Sequence, residues 1–260
     1  MRAHHMGQGL AGLLVSWQAL VWLIAPPRYI LPSPLEVVAA LVRRFAFLLE
    51  HMLVTVTEIA VGLAFGTVLG AASALLVAAL PRFGRVLWPM ILVLQAFPVF
   101  VLAPILVLWL GFGMASKVAM TTIIIFFPVA SAFADGLRRT DAVILDAVAL
   151  TRATNWQALR YIRAPLALPG LISGLRVAAP LAPLGAIIGE WVGASAGLGF
   201  VMVQANARMQ TDVVFAAMAI LALLTLLLRF LVERLTAGWV PWATENETRH
   251  LSPRSRRTSL

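Results

Sequence analysis

Long apolar runs separated by brief polar or proline- and glycine-bearing breaks dominate this chain. Within the runs the apolar residues fill all sides of a helix rather than one stripe, the pattern of a helix with no aqueous face. The runs are Leu10 to Ala25, Leu53 to Leu80, Leu87 to Leu110, Lys117 to Asp135, Leu171 to Val192 and Val213 to Val232. Each approaches or exceeds the roughly 20 residues that carry a helix across a bilayer. The pattern predicts an all-α polytopic membrane protein with about six transmembrane helices. It divides into a first span and interfacial helix over 1–52, a transmembrane domain over 53–240, and a basic tail over 241–260.

The breaks are informative. The first run ends at Pro26-Pro27 with Arg28 and Tyr29 beyond, a poor signal-peptidase site, so a retained span is expected. Ser33, Pro34 and Glu36 have the spacing of a capping box with proline at the first helical position. They predict a helix from Pro34 to about Glu50, lying on the membrane surface because Arg43, Arg44 and Glu50 interrupt its apolar face. Gly62, Gly66 and Gly70 repeat at intervals of four, which aligns them on one face where another helix can approach closely. Pro98, Pro180 and Pro183 predict kinks or unwound turns. The stretch after Val192 is expected to be a polar, glycine-bearing connection, with Arg208 and Asp212 spaced to pair on a short helix.

Composition sharpens this picture. Of 260 residues, 61% are hydrophobic and 12% charged, which leaves no room for a sizeable soluble domain. The absence of cysteine excludes thiolate catalysis, disulfides and thiolate metal sites. Histidines occur at 4, 5, 51 and 250, in the tails or beside a span, so no histidine-based metal or catalytic centre is expected. The single lysine, Lys117, follows Gly-Met-Ala-Ser and belongs to no phosphate-cradling loop, so this chain is not expected to hydrolyse ATP. The net charge of +9 needs no nucleic-acid partner, since arginines gather in the loops and tails. With both termini inside, the cytoplasmic side holds Arg82, Arg85, Arg138, Arg139, Arg152, Arg160, Arg163 and the basic tail, as the positive-inside rule requires. Lys117 then falls on the outer side.

The one long internal stretch too polar to cross a bilayer is 138–169. Thr140 or Asp141 can start a short helix running to Leu150. Thr154 and Gln157 form a second capping box, predicting a new helix from Asn155 that stops before Pro165. Such a pair is either a solvated connector or, through its small residues Ala147, Ala149 and Ala153, a knob for a groove on a partner.

Asp146-Ala147-Val148, Arg152-Ala153-Thr154 and Ile162-Arg163-Ala164-Pro165 resemble the E-A-A…G…I-x-L-P loop of permease subunits in bacterial ATP-binding-cassette importers. The resemblance extends from Leu31-Pro32-Ser33-Pro34 to Pro241-Trp242. It implies the type I importer permease fold and a bacterial inner-membrane location. It also implies a transport subunit with no catalytic residues, metal or cofactor of its own, ATP and magnesium residing on a cytoplasmic ATPase partner. The other implied partners are an external solute-binding protein and a second permease copy. ATPase coupling would fall to Asp146, Ala147, Ala149, Arg152, Ala153 and Pro165. Asp146 stands where the family has glutamate, with the charge kept and the reach shortened. Arg152 stands where it has glycine, so a left-handed turn there costs about 1–2 kcal/mol unless the turn is ordinary or shifts to Asn155.

Within the family, Ser116-Lys117-Val118-Ala119, Phe126-Phe127-Pro128 and Gly185 to Glu190 resemble the nitrate, sulfonate, taurine and pyrimidine-precursor branch. Trp191 to Ser195 and Ala205 to Asp212 are most similar to permeases for the hydroxymethylpyrimidine precursor of thiamine. That resemblance implies an aminopyrimidine substrate, with taurine, an alkanesulfonate or nitrate as alternatives. An ion-gradient secondary transporter is the competing class, although no internal repeat is visible. Ionisable or polar groups inside spans mark Glu58, Gln95 and Glu190 as candidates for lining a polar route, with Glu58 and Glu190 expected near outer ends where a carboxylate can reach water.

Overall fold

Proline, capping residues and glycine set most helix boundaries in the computed structural model, which describes residues 2–243. Helix α1 covers Arg2–Ile24 and ends where Pro26-Pro27 removes further donors. Helix α2, Pro34–Arg43, begins with the predicted capping box: Glu36 N–H donates to Ser33 Oγ at 3.3 Å, and Ser33 N–H donates to Glu36 Oε2 at 2.8 Å. It stops at Arg44 (φ −112°, ψ 22°), shorter than the expected surface helix to Glu50. The reason lies in the next residues. Phe45 to Met52 is apolar enough to join the following span, burying Leu48 and His51, so α3 runs unbroken over Phe45–Ala79.

Helix α4 (Pro81–Ala96) and helix α5 (Leu102–Leu110) are the two halves of the third apolar run, separated at Pro98 by a 3-10 turn over Val99–Val101. Helix α6 spans Met114–Arg138, with Pro128 inside it. Helix α7, Ala142–Leu150, is followed by the four-residue α8, Asn155–Ala158. A π-turn over Leu159–Arg163 then leads into α9, Ala164–Ala178. The expected stop before Pro165 does not occur. The wider π-turn and Pro165's position in the first turn of α9 let the chain pass without an obstructed hydrogen bond. A 3-10 turn over Ala179–Leu181 joins α9 to α10, Ala182–Gly193. The expected polar connection after Val192 is also largely helical, since Leu198–Ala207 forms α11, and α12 covers Thr211–Thr236.

Among the described residues, four continuous helical stretches are long and apolar enough to cross a membrane: Phe45–Ala79, Met114–Arg138, Asn155–Gly193 and Thr211–Thr236. The other two apolar runs appear as the shorter helices Ala11–Ile24 and Val99–Leu110. The architecture is all-α and polytopic.

The chain forms two compact units, and α3, α6 and α12 each pass from one to the other. The first comprises the chain up to Ala64, Pro98–Ile123 and Ala182–Leu226. Its core joins Val37, Ala40 and Leu48 to Ile187, Leu198, Val201, Ala205, Val213 and Ala216. The indole of Trp17 packs 5.5 Å from the ring of Phe215 beside it. The second comprises Phe65–Phe97, Ile124–Leu181 and the chain from Leu227. Its core holds Ala74, Phe133, Ala134, Leu137, Leu159 and Ala167. Small residues set the spacing there, because a methyl at Gly170 would stand 2.7 Å from the carbonyl of Ala132.

All three residues of the glycine row are buried. Gly62 faces Thr121 in the first unit, and Gly70 faces the backbone of Phe126 and Ala130 in the second. The expected Arg208–Asp212 pair is absent: Arg43 takes Asp212 at 3.2 Å. Arg208 instead ends α11, its N–H bonded to the carbonyls of Gln204 and Ala205.

Candidate functional site

The polar 138–169 segment belongs to the second unit. Asp141 caps α7 by accepting from Val143 N–H at 2.9 Å. Thr151 closes the helix by donating to the carbonyl of Val148 at 2.7 Å. Arg152 follows with φ of 56°, so the left-handed turn falls on Arg152 itself and not on Asn155. Thr154 then starts α8 with the second capping box, its N–H donating to Gln157 Oε1 at 2.8 Å and its Oγ1 accepting from Gln157 N–H at 3.2 Å.

Within α7 only Val148 is buried, leaving Asp146, Ala147 and Ala149 on the surface. Arg152 is exposed, whereas Ala153 and Pro165 are half-buried. The exposed set carries far more apolar surface than a solvated connector needs: Val143 is 73% exposed, Leu150 87%, Trp156 60% and Tyr161 68%. Behind it the segment is fastened to α6, since Arg163 Nη2 donates to the carbonyl of Leu137 at 3.0 Å. A groove of about 440 Å³ between Arg152, Ala153, Gln157, Tyr161 and Ile162 completes the surface.

A second polar constellation lies in the first unit. Glu58 and Glu190, each 2% exposed, come together although 132 residues separate them in sequence. Thr55 donates to Glu190 Oε1 at 2.6 Å and accepts from Leu198 N–H at 2.8 Å. Glu190 Oε2 accepts from Gly199 N–H. His51 Nδ1 accepts from Gly197 N–H at 3.0 Å. Lys117, 1% exposed, donates to the carbonyls of Phe112 and Gly193. Together these bonds tie α3 and α10 to the backbone around the α10–α11 connection, and α6 to the end of α10. At Gly197 φ is +111°, and a Cβ there would overlap the Glu190 carboxyl, so two separate constraints require glycine.

Of the three polar candidates, the structure brings Glu58 and Glu190 into one buried cluster, and Gln95 is exposed on α4. Sequence reasoning missed Lys117, Thr55 and His51 as members. An isolated lysine among apolar residues was the available signal for the first. Among the described residues no group of three histidine, aspartate or glutamate side chains could hold a metal ion. His250 and most of the basic tail lie outside the described residues.

Residues 66–242 match the family described as the binding-protein-dependent transport system inner membrane component. The chain belongs to that family. A probable ABC transporter permease protein of Haemophilus influenzae is 46% identical over 221 residues, covering 85% of this chain and 90% of the relative. The formylaminopyrimidine transport permease protein ThiX of Halalkalibacterium halodurans is 36% identical over 231 residues, covering 88% and 92%. The taurine transport system permease protein TauC of Escherichia coli is 28% identical over 243 residues, covering 91% and 88%. Membership makes this a multi-pass, membrane-embedded permease subunit of an ABC importer, a transport component whose systems include an ATPase and a binding protein.

Proposed function

We propose that this permease carries a small aminopyrimidine of the thiamine-precursor type inward, as a homodimer with two separate cytoplasmic ATPase subunits and an external solute-binding protein. Both termini face the cytoplasm. ATP-driven closure of the ATPase pair draws the two α7–α8 segments together, opens the central cavity outward to the receptor, and relaxes inward after hydrolysis. Asp146, Ala147 and Ala149 meet the ATPase cleft, while Arg152, Ala153 and Pro165 set the shape of the segment.

The observation that carries this reading is the coupling segment itself. It is a capped helix pair fastened to α6 through Arg163, with its apolar residues and Asp146 turned outward. That is the form of a lever: a surface awaiting a protein partner, joined to a membrane-spanning helix.

Two observations support the substrate class. ThiX is more similar to this chain than TauC is over comparable coverage. In addition, α10, α11 and α12 border a groove of about 520 Å³ walled by Trp191, Met202, Val203 and Met218, with Asn206 as its polar group and no cationic side chain in its lining. An indole face and one amide suit a flat heterocycle, whereas a sulfonate or nitrate calls for a cationic partner. In this reading Gln95 faces the route, and Glu58 and Glu190 act by fixing the helices that border it.

Reconstitution of the chain with its ATPase and receptor in vesicles tests the proposal. Labelled formylaminopyrimidine should accumulate with ATP, should survive an uncoupler, and should not compete with taurine or nitrate. Accumulation of taurine alone would leave the importer and overturn the substrate. Uptake that followed a proton or sodium gradient without ATP would overturn both.

A further inference from the structure

Counting charge in the buried cluster of the first unit leaves one unit unbalanced. Glu58 and Glu190 contribute two carboxyl groups, and Lys117 contributes one ammonium. His51 is neutral, because its Nδ1 accepts a hydrogen bond from Gly197 N–H and so carries no proton. Glu50 acts on His51 from an exposed position and does not enter the balance. With both glutamates ionised the buried group therefore carries a residual charge of minus one, in a part of the chain that crosses the membrane, where uncompensated charge is strongly disfavoured.

The hydrogen bonds do not remove it. Lys117 gives two of its three N–H donors to main-chain carbonyls, and no ion pair within 4.0 Å joins it to either carboxylate among the described residues. Glu190 accepts from Thr55 and Gly199, whereas Glu58 faces the Glu190 carboxyl and its Oε2 is buried with no donor among the described residues. A buried carboxylate oxygen lacking a donor, beside a second carboxyl group, is a place for a positively charged ligand. The donor set rules against a divalent metal, which would need more anionic or imidazole ligands than the cluster offers.

We propose that Glu58 and Glu190 bind one resident monovalent positive charge, a proton or an alkali cation, that completes the lock on the α10–α11 loop. The site is separate from the coupling segment and does not depend on which solute is carried. The charge is held rather than transported, and its removal frees the loop that Gly197, Leu198 and Gly199 anchor.

The test uses the purified permease with its ATPase, following the melting temperature of the permease at constant ionic strength. In choline buffers the pH is raised from mildly acidic to alkaline; at fixed neutral pH, choline is then replaced by sodium or potassium. A bound proton predicts a melting temperature that shifts down by several degrees as the pH rises and does not respond to sodium or potassium. A bound alkali cation predicts an upward shift with one of those ions. In either case Glu58→Gln, which leaves Lys117 and Glu190 balanced, loses the dependence. A wild type that responds to neither, or an E58Q variant that responds as the wild type does, overturns the proposal. Should E58Q fail to assemble, infrared spectra of the wild type decide: a carbonyl stretch from a buried protonated carboxylic acid supports the proton, and its absence together with no alkali response overturns the site.

Discussion

The hydroxyl of Thr55 on α3 donates to Oε1 of Glu190 on α10 at 2.6 Å while accepting from the N–H of Leu198 at 2.8 Å. One side chain thus joins two helices to the loop beyond the second. Thr55 is fully buried, so its hydroxyl cannot be replaced by water without opening the core. Thr55→Val keeps the shape and leaves a buried acceptor and donor unmatched, which should destabilise the permease by about 1–3 kcal/mol. Thr55→Ser should retain most of the stability. Thermal unfolding of the two variants checks the contrast, and equal losses would contradict it.

Gly197 makes a second, sharper case. Any side chain at its φ of +111° is strained by about 1–3 kcal/mol, and here a Cβ also meets the Glu190 carboxyl. Gly197→Ala should therefore disrupt the α10–α11 loop and lower ATP-driven uptake, whereas Gly238→Ala, with open space around its Cβ, should be silent. Uptake assays on both variants, at equal expression, provide the comparison.

Arg152 predicts the opposite sign. Its φ of 56° is costly for a side-chain-bearing residue, so Arg152→Gly should stabilise the segment by about 1 kcal/mol. Hydrogen exchange of the α7–α8 amides should slow in the variant. Faster exchange would mean that the arginine side chain, not the backbone, holds the turn.

The capping box of α2 gives a pH prediction. Ser33 N–H bonded to Glu36 holds that carboxyl below its usual range, outweighing the opposing effect of burial with lesser help from the Ser33 hydroxyl and Arg28. Because the folded value lies below the unfolded one, the stabilisation is complete above the ordinary carboxylate range and fades as the pH falls through the lowered folded value. Wild-type stability should thus drop on acidification relative to Glu36→Gln, and parallel pH profiles would contradict this.

Features set by local chemistry were legible in the sequence. Ser33 with Glu36 and Thr154 with Gln157 announced their helices because a capping box closes within four residues. The runs announced the long apolar helices, and Asp141 and Thr154 announced the helix pair within 138–169. Long-range pairing was not legible. Thr55 and Glu190 lie 135 residues apart, and Lys117 read as an outer-surface charge because nothing nearby in sequence reveals the carbonyls of Phe112 and Gly193 that hold it. Asp212 found Arg43 rather than Arg208 for the same reason, since α2 meets the start of α12 only in the fold. Pro165 misled because it follows a π-turn and sits in the first turn of α9, where its missing N–H obstructs no helix bond.

The chain has no cysteine, so single cysteines can be introduced without background. Ala149→Cys should form a cross-link with a cysteine placed in the ATPase cleft, and Thr57→Cys on α3 should not. Gel mobility of the oxidised complex reads both.

The central claim is that the α7–α8 segment transmits ATP hydrolysis to the membrane helices. Charge reversal at Asp146, measured as paired rates of ATP hydrolysis and solute uptake in vesicles containing the assembled complex, tests it most directly. The account predicts that Asp146→Arg abolishes uptake while the complex remains assembled. Wild-type uptake in that variant would contradict it.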